Sequence, residues 1–394
     1  MLRFGSGPLL NLRPYSVSRR TFLAGLSTLA ACSHKRAPRY QAWLFVASAA
    51  ERAVVVGDLS SFRRSGSIPL GAVPDQVLSV RGKLFAVCPE SRQIVQINPI
   101  ERTIVGKAEL TGKIAGVCLT TDGNYLVVAT TQPDALALID TASNRLVRRT
   151  PLPAAPRAVA ASGAQAAVLL EANATLLARV SVPDCALLGV SAIDAGTVTA
   201  LDYRNDGETI FTAASDAMQL VSLSASSGAV LARLPVPIRP ARFCVNGDGG
   251  QVFITGANRE PQLVIFSPYQ NQVYQTLYAG HALYGMAVAP MRNYLFLSNP
   301  DAGDVTILDI YKQRVVSSIR TGGKPGEILT APSSDLEEYA FVVDADTGDV
   351  SVIHIPAVLH KSGDAFIAEP PKPIFAVFHG GADPQSAVIV PYTT

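Results

Sequence analysis

The 394-residue chain combines 48% hydrophobic residues with only 16% charged ones, a composition that excludes an intrinsically disordered protein. Its formal net charge of +2, without a basic stripe of interleaved aromatic residues, argues against nucleic acid as a partner. Thirty glycines and 27 prolines among short apolar runs indicate frequent turns between short strands and exclude a fold of long helices.

The first 31 residues have the features of an export signal. Arg19 and Arg20 precede an apolar run, residues 22–31 (FLAGLSTLAA), that is far too short to span a bilayer as a mature helix. Residues 18–23 (SRRTFL) resemble the twin-arginine export motif, and residues 29–32 (LAAC) resemble a lipobox. This resemblance implies that residues 1–31 are removed, that the chain folds before export, and that Cys32 is lipidated. A basic tail leading into a short amphipathic helix is the alternative interpretation.

Residues 32–41 (CSHKRAPRYQ) are interpreted as a lipidated, basic tether. A lipoprotein cysteine carries several acyl chains, which is enough for stable anchoring in a membrane. Ser33 follows the cysteine where an Asp would imply retention in the inner membrane, so we expect the outer membrane or the surface. The sequence thus predicts an exported lipoprotein, anchored to the bacterial cell envelope through Cys32, on its periplasmic face or at the cell surface.

An internal repeat of about 42 residues fills the rest of the chain. Its clearest copies begin at Asn124 and Asn293, and the first strand of each copy recurs every 40 to 46 residues, near Leu44, Leu84, Tyr125, Ala167, Ile210, Val252, Tyr294 and Ala340. Each unit has room for four short strands, which make one β-propeller blade. The fold class predicted is all-β: a single β-propeller over residues 42–394, built of four-stranded antiparallel blades. Eight blades are counted, and seven with accessory strands is the alternative.

The repeat resembles that of the YVTN-type propellers, a family of extracytoplasmic and surface-layer-like proteins. Residues 121–126 (TDGNYL) carry the likeness, residues 322–327 (GGKPGE) carry it in part, and it covers about residues 42–390. Asp-Gly pairs such as Asp122-Gly123 are expected to close two-residue hairpins. Residues 372–378 (KPIFAVF) are expected to be the innermost strand that completes the first blade, whereas residues 387–390 (AVIV) fit no blade cleanly.

The polar and sulfur-containing residues show no metal or haem motif. Asp140, Asp309 and Asn98 end third strands and are expected to cap backbone amides. The mature chain has no CxxC pair and no CxxCH motif, and we expect four buried free thiols: Cys88, Cys118, Cys185 and Cys244. His281 and His379 flank expected innermost strands, but no two histidines have a metal-chelating spacing. No metal and no cofactor is therefore predicted.

The candidate ligand-binding site lies where loops lead into the innermost strands. If the register is right, five polar side chains converge near one mouth of the channel: Gln76, Arg157, Arg242, Tyr284 and Glu327. Convergent polar groups over an apolar ring are a usual binding surface. Ordinary loop charges are the alternative. Such a mixture suits a small polar molecule or a protein loop.

The leading functional hypothesis is a lipid-anchored binding or scaffold module for a protein or a small polar ligand. No catalytic residue is assigned, because no GxSxG elbow or other nucleophile motif is present. A lactonase-type hydrolase is one alternative, and it requires His281, Glu327 or His379 to meet in a calcium or acid–base cluster. A cofactor-binding redox propeller is the other, motivated by the twin-arginine signal, with one of these histidines on a haem.

Overall fold

The second and third strands of each repeat are apolar almost without alternation. The segments Ala53–Asp58 (AVVVGD) and Thr209–Ala214 (TIFTAA) are buried along nearly their whole length, because each lies in a sheet that is covered on both faces by neighbouring sheets. The computed structural model describes residues 40–289, 293–332, 338–359 and 373–392. The predicted signal peptide, Cys32 and nearly all of the tether lie outside the described residues.

The described residues form eight four-stranded antiparallel sheets. The innermost strands are β4 (Gln76–Val80), β8 (Lys113–Leu119), β12 (Ala155–Ala161), β16 (Val198–Tyr203), β20 (Pro240–Val245), β24 (Met286–Ala289), β28 (Pro325–Pro332) and β32 (Pro384–Pro391). The second strands are β1 (Ala42–Ser48), β5 (Lys83–Cys88), β9 (Tyr125–Thr131), β13 (Gln165–Glu171), β17 (Thr209–Ala214), β21 (Val252–Gly256), β25 (Tyr294–Asn299) and β29 (Glu338–Asp344).

The two outer positions complete each sheet. The third strands are β2 (Ala53–Asp58), β6 (Gln93–Asn98), β10 (Ala135–Asp140), β14 (Thr175–Ser181), β18 (Gln219–Ser224), β22 (Gln262–Ser267), β26 (Asp304–Asp309) and β30 (Asp349–His354). The outer strands are β3 (Arg63–Pro69), β7 (Thr103–Glu109), β11 (Arg145–Pro151), β15 (Leu187–Ala192), β19 (Val230–Pro235), β23 (Gln272–Tyr278), β27 (Arg314–Arg320) and β31 (Ile374–His379). Blade 1 consists of β32, β1, β2 and β3, and blades 2 to 8 follow in chain order.

Eight apolar clusters form the core, and each joins the facing sides of two adjacent blades. One cluster packs Leu44 of blade 1 against Tyr339 and Phe341 of blade 8, so the packing continues around the whole ring. The predictions of an all-β chain and of eight blades are therefore confirmed, and the seven-blade alternative is wrong.

The closure of the ring differs from the prediction. The strand that completes blade 1 is β32, which pairs with β1 from Ala42↔Pro391 to Ser48↔Pro384. The expected closing segment instead contains β31, which pairs with β30 as the outer strand of blade 8. Closure by β32 leaves no open sheet edge at the joint between the chain ends. All strands of the ring lie between Ala42 and Pro391, so residues 33–394 contain the entire propeller.

The turns between innermost and second strands also differ in part. Gly123 donates its N–H to Thr120 O at 2.8 Å, and Thr120 N–H bonds to Tyr125 O at 3.0 Å, so this Asp-Gly pair sits in a four-residue loop with only the glycine at positive φ. A two-residue turn with positive φ at both positions occurs instead at Arg81-Gly82.

The predicted capping residues behave as expected. The Oδ1 atom of Asp140 accepts the Ser143 N–H at 2.7 Å, and that of Asp309 accepts the Lys312 N–H at 2.9 Å. One short helix, α1 (Ile355–Leu359), follows β30. Within the described part of the chain, no helix has the length and apolar character needed to cross a membrane.

Candidate functional site

A cavity of about 550 Å³ opens at one end of the channel. We call this end the mouth face: it carries the loops that lead into the innermost strands, among them residues 70–75, 236–239, 279–285, 321–324 and 380–383. The cavity is bounded by the innermost strands of blades 6, 7, 8, 1 and 2, which are contiguous in the ring. It therefore occupies one side of the channel mouth.

Four of the five predicted site residues line this cavity. Gln76, Arg242 and Glu327 stand at the beginning of innermost strands in blades 2, 6 and 8, and Tyr284 lies in the loop that leads into β24 of blade 7. Gln76, Tyr284 and Glu327 are partly buried, and Arg242 is exposed. The structure thus brings together side chains that are up to 251 positions apart in the sequence.

Arg157 does not line the cavity, and the expectation that it converges with the other four is wrong. It borders a separate groove of blades 4 and 5, together with Glu171, Asp194 and Asp216. The reason is the register: Pro156 pairs with Leu170 and Ala158 with Leu169, so Arg157 is the extra residue of a β-bulge. Position 158, not 157, corresponds to Arg242, which follows the same kind of bulge in blade 6.

The position that Arg242 and Glu327 occupy is filled by small residues on the other side of the channel. The strand register places Gly116 opposite Ala129, Ala158 opposite Leu169 and Ala200 opposite Ala213 in blades 3, 4 and 5. At this position of the innermost strands, polar side chains are therefore concentrated in blades 6, 8, 1 and 2. This explains why the polar cavity lies to one side of the channel.

Glu327 is the titratable group most affected by this environment. Its Oε2 atom accepts the N–H of Ala387, from the closing strand, at 2.7 Å. Burial raises the pKa of the Glu327 carboxyl from its usual 4.5 to about 7, although this hydrogen bond and the positive charge of Arg242 oppose the rise. The carboxyl is therefore poised to exchange a proton, and to donate or accept a hydrogen bond, near neutral pH.

Arg242 and Tyr284 form a stacked pair at the rim. The guanidinium carbon of Arg242 lies 3.8 Å from the centroid of the Tyr284 ring, a cation–π contact that holds the flexible side chain over the cavity. Stacking uses the face of the guanidinium, and its N–H groups radiate from the edges in a planar fork. The pair therefore presents hydrogen-bond donors with a fixed positive charge.

A buried hydroxyl fixes the wall between blades 7 and 8. Ser298 Oγ accepts the N–H of Gly285 at 2.7 Å and donates to the carbonyl of Gly326 at 2.8 Å. A Cβ atom at position 285 would lie only 2.2 Å from the Gly326 oxygen, so the end of the loop before β24 approaches β28 as closely as a glycine allows. This contact sets the position of Glu327, which follows Gly326 directly.

Sequence reasoning missed three polar residues of the cavity. Gln385 and Ser386 belong to the closing strand, which had no assigned blade, and Asp75 precedes Gln76 in blade 2. A signal for them exists: a proline recurs just before or at the start of five innermost strands, at Pro74, Pro156, Pro240, Pro325 and Pro384. Alignment on these prolines identifies β32 as an innermost strand and exposes the offset of Arg157.

The histidine cluster that a lactonase would require is not formed. His379 ends the outer strand β31, where its Nδ1 atom lies 3.1 Å from Asp349 Oδ1. His281 is exposed in the loop before β24, and neither histidine borders the cavity. Among the described residues, no group of three or more His, Cys, Asp or Glu side chains is arranged to hold a metal ion.

The four cysteines of the described chain are free, as predicted; Cys88 and Cys185 are buried as expected, whereas Cys118 and Cys244 are only partly buried. Burial raises the pKa of the Cys88, Cys185 and Cys244 thiols to about 11, which keeps them protonated and unreactive. Cys118 and Cys244 lie on innermost strands, and burial raises the pKa of Cys118 as well. These residues act as small apolar side chains.

The comparisons with known proteins bear on the fold. No protein-family model matches the chain, and no curated protein matches it. Similar solved structures include the dihydro-heme d1 dehydrogenase NirN in complex with DHE, 13% identical, covering 88% of this chain and 74% of that one with a TM-score of 0.68. Hydrazine synthase of Kuenenia stuttgartiensis is 17% identical over 80% of this chain and 95% of that one, TM-score 0.51.

The β-propeller domain of Cps50 (Swd1) from Myceliophteria thermophila is 12% identical, covers 71% of this chain and 96% of that domain, and has a TM-score of 0.53. At such identities the similarity shows the fold alone. The class defined by fold and comparisons together is an eight-bladed β-propeller, and the function has to be argued from its cavity.

Proposed function

We propose that this chain is a lipid-anchored, extracytoplasmic binding module of the YVTN repeat type, whose channel mouth takes a small polar ligand with an anionic group. The observation that carries the proposal is the convergence of Gln76, Arg242, Tyr284 and Glu327, from four blades, on one cavity. Its volume of about 550 Å³ lies in the range typical of small-molecule sites and is small for a folded partner.

Each side chain has a distinct part in recognition. The Arg242 fork suits a carboxylate or another planar anion, with Tyr284 fixing its orientation. Glu327, when protonated, donates a hydrogen bond to the ligand, and when ionised it accepts one. The amide of Gln76 offers both a donor and an acceptor on the opposite wall. A ligand with one anionic end and a hydroxyl or amide end satisfies all three.

The envelope location rests on the sequence. A twin-arginine segment, a lipobox-like segment and a basic tether occur in the order required for an exported lipoprotein, and residues 33–394 contain the entire ring. The anchor at Cys32 keeps the propeller in the envelope, where it meets ligands that have crossed the outer boundary of the cell.

The test is a thermal-shift screen of residues 33–394 against polar carboxylates, sugar lactones, cell-wall fragments, metal ions and haem. A ligand at about 100 times its dissociation constant adds about 2.7 kcal/mol, which raises the melting temperature by roughly 4 °C for a domain of this length. The expected result is a shift with an anionic polar compound that Arg242→Ala abolishes.

Arg157→Ala is the matched control, because Arg157 is also an exposed arginine near the start of an innermost strand but lies outside the cavity. The proposal is contradicted if Arg157→Ala and Arg242→Ala weaken the shift equally, or if no polar anion in the screen raises the melting temperature. A shift with haem or a lactone that survives Arg242→Ala would instead support the redox or the hydrolase alternative.

A further inference from the structure

Every outer strand of the propeller carries a β-bulge at the same place. In blade 2, Ile97 pairs with Ile104 and Gln96 with Gly106, so Val105 has no partner in the ladder. The same offset occurs in all eight blades and leaves one extra residue in each. In blade 1 this residue is Ser65.

The extra residue is apolar or aromatic and exposed in the other seven blades. We call this set the outer belt: Val105, Val147, Leu188, Leu231, Tyr274, Val316 and Phe375. These residues are 39–61% exposed. By contrast, most apolar residues of the second and third strands are buried. A recurring apolar surface of this kind marks an interaction site and exceeds the scattered apolar exposure that is normal.

The outer belt lies beside one face of the ring. We call it the far face: it carries the turns between third and outer strands, such as residues 59–62, 99–102, 268–271 and 310–313. Because strands alternate in direction within each blade, this face is opposite the mouth face. Three of these turns carry an exposed apolar or aromatic side chain: Ile100 at 59%, Tyr269 at 49% and Tyr311 at 88%.

The charge of the outer strands is strongly one-sided. They contain nine Lys and Arg residues and a single acidic residue, Glu109, although the whole chain has 33 basic and 31 acidic residues. Arg145, Arg148 and Arg149 flank Val147 in blade 3, and Arg314 stands two residues before Val316 in blade 7. Apolar and basic side chains interleaved on one surface complement an anionic lipid surface.

The chain enters the ring at the same face. Leu59, in the turn between β2 and β3, donates its N–H to Ala42 O at 3.0 Å, so the start of β1 lies beside a far-face turn. Eight positions separate Cys32 from Tyr40, and a fully extended chain of that length spans at most about 29 Å. A lipidated Cys32 would therefore hold the far face within that distance of a bilayer.

We infer that the outer belt and the adjoining far-face turns rest on an anionic phospholipid bilayer, with the channel mouth directed away from it. The distance argument rests on the proposed lipidation, whereas the apolar belt and its charge do not. A second copy of this chain is a poor occupant, because outer strands with nine basic residues and one acidic residue repel the same strands of another copy. The lipidated tether would thus hold close to the bilayer a surface, the outer belt and the far-face turns, whose composition suits contact with lipid.

The test uses unlipidated residues 33–394 and sedimentation with vesicles of phosphatidylethanolamine and phosphatidylglycerol. The expected result is binding that weakens as NaCl is raised and is much weaker with phosphatidylcholine vesicles. Replacing three belt residues together, Val105→Ser, Leu188→Ser and Leu231→Ser, should weaken it at least about tenfold, since each exposed apolar side chain loses its burial in the interface.

Val73→Ser combined with Met218→Ser is the matched control, because both residues are exposed apolar side chains of the mouth face. The inference is overturned if the belt variant binds as the wild type does, or if anionic vesicles bind no protein. Absence of a lipid on Cys32 in cells would contradict only the anchor. Vesicle binding and lipidation are thus decided separately.

The orientation has its own reporter, because Trp43 is the sole tryptophan and lies at the start of β1 on the far face. Its ring packs 4.5 Å from that of Tyr392 and lies 3.9 Å below the Arg102 guanidinium. Brominated lipids in the bound vesicles should quench Trp43 fluorescence. Vesicle binding without quenching would show that a different surface meets the bilayer and would overturn the proposed orientation.

Discussion

Replacement of Glu327 by glutamine should change how the stability of the propeller depends on pH. In the wild-type protein, Glu327 Oε2 accepts the Ala387 N–H at 2.7 Å. A glutamine keeps a side-chain oxygen that can accept this hydrogen bond and removes only the ionisable proton. Glu327→Gln therefore separates the cost of a charge in the cavity wall from the loss of a hydrogen bond.

The sign follows from the raised pKa. A carboxyl whose pKa rises from 4.5 in the unfolded chain to about 7 in the folded one binds more protons when folded, so the free energy of unfolding falls as pH rises through this window. The full difference corresponds to at most about 3 kcal/mol, since Glu327 keeps some contact with water. This cost is absent below about pH 4.5, grows as the pH rises from there, and reaches its full size above about pH 7.

Urea denaturation between pH 4.5 and pH 8 measures the effect. Glu327→Gln should gain stability relative to the wild type as pH rises, and the difference should level off above about pH 7. Glu101→Gln, which removes an exposed carboxylate from a far-face turn, is the control and should show no such growing difference. Parallel stability curves for wild type and Glu327→Gln would refute the account of Glu327 as a buried acid.

Three further predictions concern the site, the ring and the anchor. Ser298→Ala removes the hydroxyl between Gly285 and Gly326 and should lower the free energy of unfolding by about 2 kcal/mol; an unchanged urea midpoint would contradict the bridging role. A chain that ends before β32 should show no cooperative melt by circular dichroism, because blade 1 is left open; a native-like melt would mean that the ring closes without it. Cys32→Ala should abolish palmitate labelling and release the protein from the membrane fraction, and label that persists would place the lipid elsewhere.

The fold was predictable because the repeat is enforced by burial. Second and third strands lie between two neighbouring blades, so substitutions that keep them apolar keep the period visible even where turn sequences differ. The closing strand was not predictable in this way. Both β31 and β32 are short apolar runs, and the pairing of β32 with β1, more than 330 positions away, is a contact that the repeat period does not indicate. The local sign is Pro384 at the start of β32, which becomes a signal only when the innermost strands of the other blades are aligned on their prolines.

The candidate site shows a similar division. Gln76, Arg242 and Glu327 could be placed because innermost strands follow their leading loops at a regular distance. Arg157 was misplaced by one position, since a β-bulge inserts a residue that no periodicity announces. The raised pKa of Glu327 was beyond sequence reasoning altogether, because it depends on water excluded by strands of other blades.

Packing and function occupy different radial positions in this molecule. The middle strands are buried on both faces, so their side chains are committed to the core clusters and are poor places for recognition. The innermost and outer strands each leave part of their surface unpacked, and it is there that blades differ from one another: Arg242 or Glu327 stands where blades 3, 4 and 5 have glycine or alanine, and Ser65 stands where the other seven blades have an apolar or aromatic bulge residue. The middle strands of the blades thus keep the same apolar character around the ring, whereas the exposed residues of the innermost and outer strands vary from blade to blade. A ligand at the inner border and a bilayer at the outer border can then be bound at once, because the mouth face and the far face lie on opposite sides of the disc.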